Sequence, residues 1–183
     1  MAGETNNKVL YGIEQCYVAK ITETEEGITY GTPFPMPGAV GLNFDPEGEE
    51  TPFYADNVKY FIANSNQGYS GDLEILGRTV DTNGAIFENA DDKTARFALM
   101  FQGQGDSKNR RWVFFDCTAT RPSRENNTKE ESIEVGTETM TITMSPRSTD
   151  KAVMAYIEPN DTNEKVYNSF FTKVYEKNAV ADV

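Results

Sequence analysis

Residues 138 to 144 place Met140, Ile142 and Met144 in strict alternation with Thr139, Thr141 and Thr143. Successive side chains of an extended chain point to opposite faces, so this period of two predicts a strand with one face in a core and one toward water. Val40, Leu42 and Phe44 alternate with Gly41 and Asn43 in the same way. Less regular apolar runs occur at Cys16 to Ile21, Val58 to Ala63, Leu73 to Leu76, Phe97 to Gln102, Trp112 to Thr120 and Val153 to Ile157. About eight or nine strands follow, and so many short strands in one chain predict a mainly β fold, a β-sandwich or barrel.

The breaks between these runs carry the turns. Gly103-Gln104-Gly105-Asp106-Ser107-Lys108-Asn109 separates two strong runs and supplies glycines for positive φ, so it reads as a hairpin. Its two glycines lack the third glycine and following helix of a dinucleotide-binding loop. Gly68-Tyr69-Ser70-Gly71 reads as a turn, since it has the wrong spacing for a nucleophile elbow and no base to activate its serine. Two connections are long. Asp45 to Asn57 is rich in acid and proline, and Arg121 to Glu138 is polar almost throughout. Structureless loops beyond about 12 to 15 residues are usually functional or disordered, so both are functional pointers. Phe53-Tyr54 and Tyr60-Phe61-Ile62 border the first and read as a long hairpin whose aromatics belong either to a core or to an interface.

One helix is expected, over about 162–177. Asp161 is placed to cap it and Glu164 to complete a capping box, after which Val166, Tyr167, Phe170, Phe171, Val174 and Tyr175 share one face. That face is expected to cover a sheet of its own domain rather than a neighbouring subunit. The 183 residues, 38% hydrophobic, suit a single domain spanning 1–183.

Composition then narrows the chemistry. The chain has no histidine. That excludes Ser-His-Asp and Cys-His nucleophiles and any Cys/His zinc site. Seventeen basic against 29 acidic residues give a net charge of -12, which opposes nucleic-acid binding. Cys16 and Cys117 have no metal-binding spacing and sit in apolar runs, so they are expected as free buried thiols. No apolar run reaches the roughly 20 residues that span a bilayer, and Met1 to Lys8 lacks a signal-peptide core, so a cytoplasmic site of synthesis and no membrane insertion are expected.

The remaining chemistry is sparse. Asp45, Glu47, Glu49 and Glu50 lack the spacing of a calcium loop, so a solvated loop is the reading. Glu74, Glu134 and Glu138 are the acids near strands that a glycosidase would need, with nothing to fix a pair. Lys108, Arg110 and Arg111 form a basic cluster expected to be a solvated hairpin tip. No enzyme, cofactor or metal is expected.

The ordered run Asn7-Lys8-Val9-Leu10-Tyr11-Gly12, Tyr30-Gly31-Thr32-Pro33, Pro37-Gly38-Ala39-Val40, Pro46-Glu47-Gly48-Glu49, Phe53-Tyr54-Ala55-Asp56-Asn57 and Gly68-Tyr69-Ser70-Gly71-Asp72-Leu73-Glu74 resembles the major tail proteins of long-tailed, non-contractile bacteriophages. Beyond Gly77 the likeness is one of pattern. The resemblance implies a β-sandwich tail tube subunit that forms hexameric rings, stacked into the tube through which double-stranded DNA passes without specific binding. It implies tape measure, tail terminator and tip proteins as partners, a virion tail location, and assembly in the host cytoplasm. It assigns inter-subunit contacts to the long loops, through Glu47, Glu49, Phe53, Tyr54 and Asp56 in the first and Arg124, Glu130 and Glu131 in the second. The competing reading is a β-sandwich carbohydrate-binding or adhesion module, which would need an exposed aromatic platform.

Overall fold

A computed structural model describes residues 12–25, 27–55, 58–76, 94–124 and 136–177, with backbone alone at 50–55, 58–64 and 124. Its first strands are β1 (Ile13–Thr24), β2 (Gly27–Tyr30), β3 (Phe34–Pro35), β4 (Ala39–Leu42) and β5 (Asp45–Glu47). Next come β6 (Glu50–Ala55), β7 (Val58–Asn64), β8 (Gly68–Ile75), β9 (Arg96–Gly103) and β10 (Arg111–Ala119). The chain closes with β11 (Ser123–Arg124), β12 (Glu138–Met144), β13 (Met154–Ile157) and a short helix α1 (Glu164–Asn168). The fold is mainly β, as the alternation requires, and all the long apolar runs are strands.

One sheet follows the path β2-β1-β9-β10-β12-β8-β4, with β3 on β1, β5 on β8, β11 on β12 and β13 on β10. Every pairing is antiparallel. The sheet curls until β4 lies against β1 without a ladder between them, and beside that seam the Met36 amide donates to the Cys16 carbonyl (2.8 Å), continuing the β1–β3 pairing. The result is barrel-like.

β9 and β10 are buried on both faces, which explains why they read as continuous apolar runs rather than as alternation. Leu99, Phe101, Phe114 and Cys117 point into the curled sheet with Cys16, Leu73, Ile75, Ile142 and Met144. Ala98, Met100, Val113 and Phe115 point outward, to a second apolar layer completed by Phe170 and Val174. A bulge between Phe114 and Cys117 inserts an extra residue into β10, so Phe115 faces the outer layer while Cys117 returns to the inner one. A second bulge, between Glu14 and Tyr17, puts Gln15 at φ 50 and turns both Ile13 and Cys16 inward.

β12 and β13 follow one another along the same edge of β10: Met144 pairs with Cys117 and Met154 with Phe114. Residues 145–153 loop out between them. There Arg147, 6% exposed, donates to the Asp150 carboxylate (2.5 and 2.7 Å), and its guanidinium lies 4.3 Å from the centre of the Phe115 ring.

Three sequence expectations change. The C-terminal helix is Glu164–Asn168, not 162–177. Asp161 does not cap it: the N-cap residue is Asn163, with no side-chain cap hydrogen bond, and the Asn160 Oδ1 accepts the amides of Thr162 and Asn163 (both 3.0 Å) in a turn before α1. After Asn168 the Phe170 and Thr172 amides donate to carbonyls three residues back, a tighter winding than an α-helix, and the Ser169 and Thr172 hydroxyls compete for local carbonyls. The segment still covers the sheet, but through Phe170 and Val174, with Phe171 and Tyr175 half buried.

Val40 does not share the inner face with Leu42 and Phe44, because a register shift between Ala39 and Gly41 rotates it outward to 43% exposure. Gly68-Tyr69-Ser70-Gly71 is the first half of β8, not a turn. These glycines serve close backbone approach: a Cβ on Gly68 would stand 2.0 Å from the Met144 carbonyl oxygen, and one on Gly71 1.9 Å from that of Asn43.

Candidate assembly interface

The acidic connection after β4 is not structureless. β5 pairs with the start of β8 from Asp45↔Ser70 to Glu47↔Gly68. The Gln67 amide donates to the Glu47 carbonyl (2.9 Å), the Ser65 amide to the Glu49 carbonyl (3.0 Å), and the Glu49 amide to the Ser65 hydroxyl (2.9 Å). The ladder then runs through β6 and β7, from Glu50↔Asn64 to Ala55↔Val58. One two-stranded ribbon therefore extends from the sheet, and β6 and β7 form a sheet of their own. At about 3.3 Å per residue the β6–β7 part is about 20 Å long. Its root is fixed by Gly48, where a Cβ would stand 1.9 Å from the Ser65 carbonyl oxygen.

The expected contact residues fall as follows. Glu47, in β5, and Glu49, at the ribbon root, are exposed. Phe53 and Tyr54 lie in β6, where Phe53 is the register partner of Phe61. Asp56, Glu130 and Glu131 lie outside the described residues. Arg124 is in β11, whose pairing with the start of β12 through Ser123↔Thr139 and Arg124↔Glu138 ties the two ends of the second long connection together.

The basic cluster is a solvated tip only at Lys108, whose side chain is 60% exposed; Arg110 and Arg111 are half buried. Arg110 donates to the buried Asp106 carboxylate (2.7 Å) and lies 5.2 Å from the centre of the Trp112 ring. Arg111 lies between Tyr167 (3.9 Å) and Phe171 (4.8 Å), donates to the Tyr167 carbonyl (2.5 Å), and donates to the Gln102 side chain (2.9 Å). Lys108 pairs with Glu158 at 3.2 Å. Each cation is paired inside the subunit: Arg110 braces the hairpin itself, while Lys108 and Arg111 fasten it to the C-terminal segment. The missed signal was the aromatic spacing of Tyr167 and Phe171, which suits planar guanidinium stacking as well as burial.

Electrostatics follow the same pairs. Bonds from Arg110 hold the Asp106 carboxyl down to about 2, and those from Arg147 hold Asp150 down to about 2. Burial pushes the Cys16 thiol up to about 12 and raises Cys117 as well, so both are inert packing residues. Glu74 and Glu138 do not converge: Glu74 is opposite Thr139, so Glu138, one residue earlier, projects from the other face. Glu134 lies outside the described residues. Among the described residues no group of three or more acidic or cysteine side chains is placed to hold a metal, and no helix is long and apolar enough to cross a membrane.

The candidate site is thus a projecting ribbon with an acidic root, on a curled sheet. Three solved cryo-EM structures are among those to which this chain is similar. The anti-feeding prophage (AFP) baseplate, 6-fold symmetrised, is 11% identical with a TM-score of 0.45, covering 82% of this chain and 97% of that one. The anti-feeding prophage cap, an AFP tube terminating cap, is 13% identical at 0.46, covering 87% and 100%. The PVC sheath-tube complex of an extracellular contractile injection system, in its extended state, is 9% identical at 0.47, again covering 87% and 100%. Comparison with protein-family models and with curated protein sequences gives no match.

Proposed function

We propose that this chain is a tail tube subunit, which assembles as hexameric rings stacked into the conduit for genome delivery of a long-tailed bacteriophage. The observation that carries the reading is the ribbon: an extension with a hydrogen-bonded root whose two strands form a sheet of their own, apart from the main one. Among the described residues each ribbon strand pairs only with the other, which leaves an open edge on both; such an edge invites pairing with another chain, and a chain that must not aggregate blunts it, so a retained one fits an assembly element. The ordered motif run from Asn7 to Glu74 supports the same reading, and supports the non-contractile type of tail.

The charge of -12 suits a conduit, because an acidic wall repels phosphate and leaves DNA free to slide. Tape measure, terminator and tip proteins are the partners of such a tube, and the virion tail is its location. The chain acts by packing and polymerising, without catalysis. Tubes that assemble with a sheath would reassign the particle to the contractile type. The adhesion reading finds little support: Trp112 is stacked on Phe101 with Arg110 over it, which leaves Tyr156 as the exposed ring of that group.

The test follows from the root. Glu49 and Ser65 are already bonded, so residues 50–64 can be replaced by a two-residue turn without disturbing β5 or β8. The excised protein is expected to keep its thermal transition and form no tubes by negative-stain microscopy. Normal tubes would remove the ribbon from the assembly and the reading with it.

A further inference from the structure

The ribbon leaves the sheet at a position that uncovers a second edge. β8 flanks β12 as far as Tyr69↔Met144, and Gly68 then turns away at φ 112 with its Cα against the Met144 carbonyl. β13 continues the line of β12 along β10, and among the described residues no strand pairs with its other side. Tyr156, in the middle of β13, is 54% exposed. An open edge with an exposed tyrosine at its centre combines unpaired backbone groups with an aromatic anchor, the two features by which strand addition gains affinity.

We infer that this β13 edge receives the root of the ribbon from a second copy of the chain. Charge selects that occupant. Copies carrying -12 repel each other unless carboxylate meets cation. Asp45, Glu47 and Glu49 at the ribbon root are exposed and make no ion pair among the described residues, while Lys151, exposed and likewise without an ion pair there, stands three residues before β13. Within one chain the ribbon does not pair with this edge among the described residues, since β8 ends its pairing with β12 at Tyr69↔Met144 and β6 and β7 pair only with each other. The contact is heterologous, ribbon root of one copy to β13 of the next, and a heterologous contact closes into a ring or runs on as a helix. The inference rests on the ribbon being an assembly element and adds the surface that accepts it.

Disulfide trapping tests it, since the native thiols are buried and give little background. Glu49→Cys protein is mixed under mild oxidation with Lys151→Cys protein, and separately with Tyr156→Cys protein so that a one-residue error in register does not decide the result. The expected result is a reducible dimer band in at least one mixture, absent when Glu25→Cys, in the β1–β2 turn, replaces Glu49→Cys. Tubes seen by microscopy without the trapped band would overturn the β13 assignment and leave the tail tube reading standing. A trapped band without tubes at any concentration would support the edge contact and remove the tube. Neither band nor tubes would overturn both.

Discussion

The guanidinium of Arg111 stands 3.9 Å from the centre of the Tyr167 ring and donates to the carbonyl of the same residue, joining the β9–β10 hairpin to α1. One further hydrogen bond and one ring contact reinforce the join: the Tyr167 hydroxyl donates to the Asn109 carbonyl (2.7 Å), and the Arg111 guanidinium also lies 4.8 Å from the centre of the Phe171 ring. Replacing Arg111 by alanine is expected to cost about 2 kcal/mol, from one stacked cation and a charged hydrogen bond. Urea unfolding reads the loss directly. Arg111→Lys should recover little of it, because an ammonium neither stacks as a plane nor donates in two fixed directions. A lysine variant as stable as the parent would reduce the join to simple charge.

Gly68 sits at φ 112 against the Met144 carbonyl, where any side chain is both strained and obstructed. Gly68→Ala is expected to destabilise by about 2 to 3 kcal/mol, measured by thermal or denaturant unfolding. Gly31→Ala is the comparison, since a Cβ there stands 3.5 Å from its nearest neighbour, the Lys20 carbonyl oxygen, and the change should cost little. Equal effects at the two positions would count against the close approach of ribbon root and β12.

Acid stability follows from Asp106, held down to about 2 by Arg110. A carboxyl whose folded pKa lies below its unfolded value contributes stability that is fully present above the unfolded value, about 4, and is lost as the pH falls toward 2. Stability should therefore be flat in this respect from pH 7 to about 5 and decline between about 4 and 2. Asp106→Asn is expected to lower stability at pH 7 by about 2 kcal/mol and to flatten that acid limb. An unchanged limb would mean that the Asp106–Arg110 pair is not formed in solution. Asp150, whose side chain is 39% exposed, should behave similarly with a smaller amplitude.

The thiols give a simpler check. Cys16 and Cys117 are 6% and 0% exposed, and burial raises both. Neither should react with a soluble disulfide reagent at pH 8 in the native protein, and both should react once it is unfolded. Rapid labelling of Cys117 in the folded state would contradict the packing of β10.

Much of this architecture was legible in the residues. The Met140-Ile142-Met144 alternation identified β12, and the runs at Phe97 and Trp112 identified β9 and β10 because double burial leaves no polar face. The registers were not legible where a bulge intervenes: Val40 follows the alternation on paper and leaves it through a one-residue shift. Glycine misled at Gly68 and Gly71, since a strand glycine under a neighbouring carbonyl and a turn glycine look alike in sequence. The helix was overestimated because Phe170 and Val174 keep helical spacing while Asn168, Ser169 and Thr172 favour turns. Of the proposed interface, the aromatic hairpin was legible as a pair of apolar runs; the open edge of β13 was not, because it depends on where another strand departs.

A tail tube subunit must polymerise. Purified protein concentrated at neutral pH and viewed by negative-stain electron microscopy is expected to show six-membered rings and stacked tubes about one subunit thick in the wall. A protein that stays monomeric at every concentration and in every assembly condition tried would contradict the account.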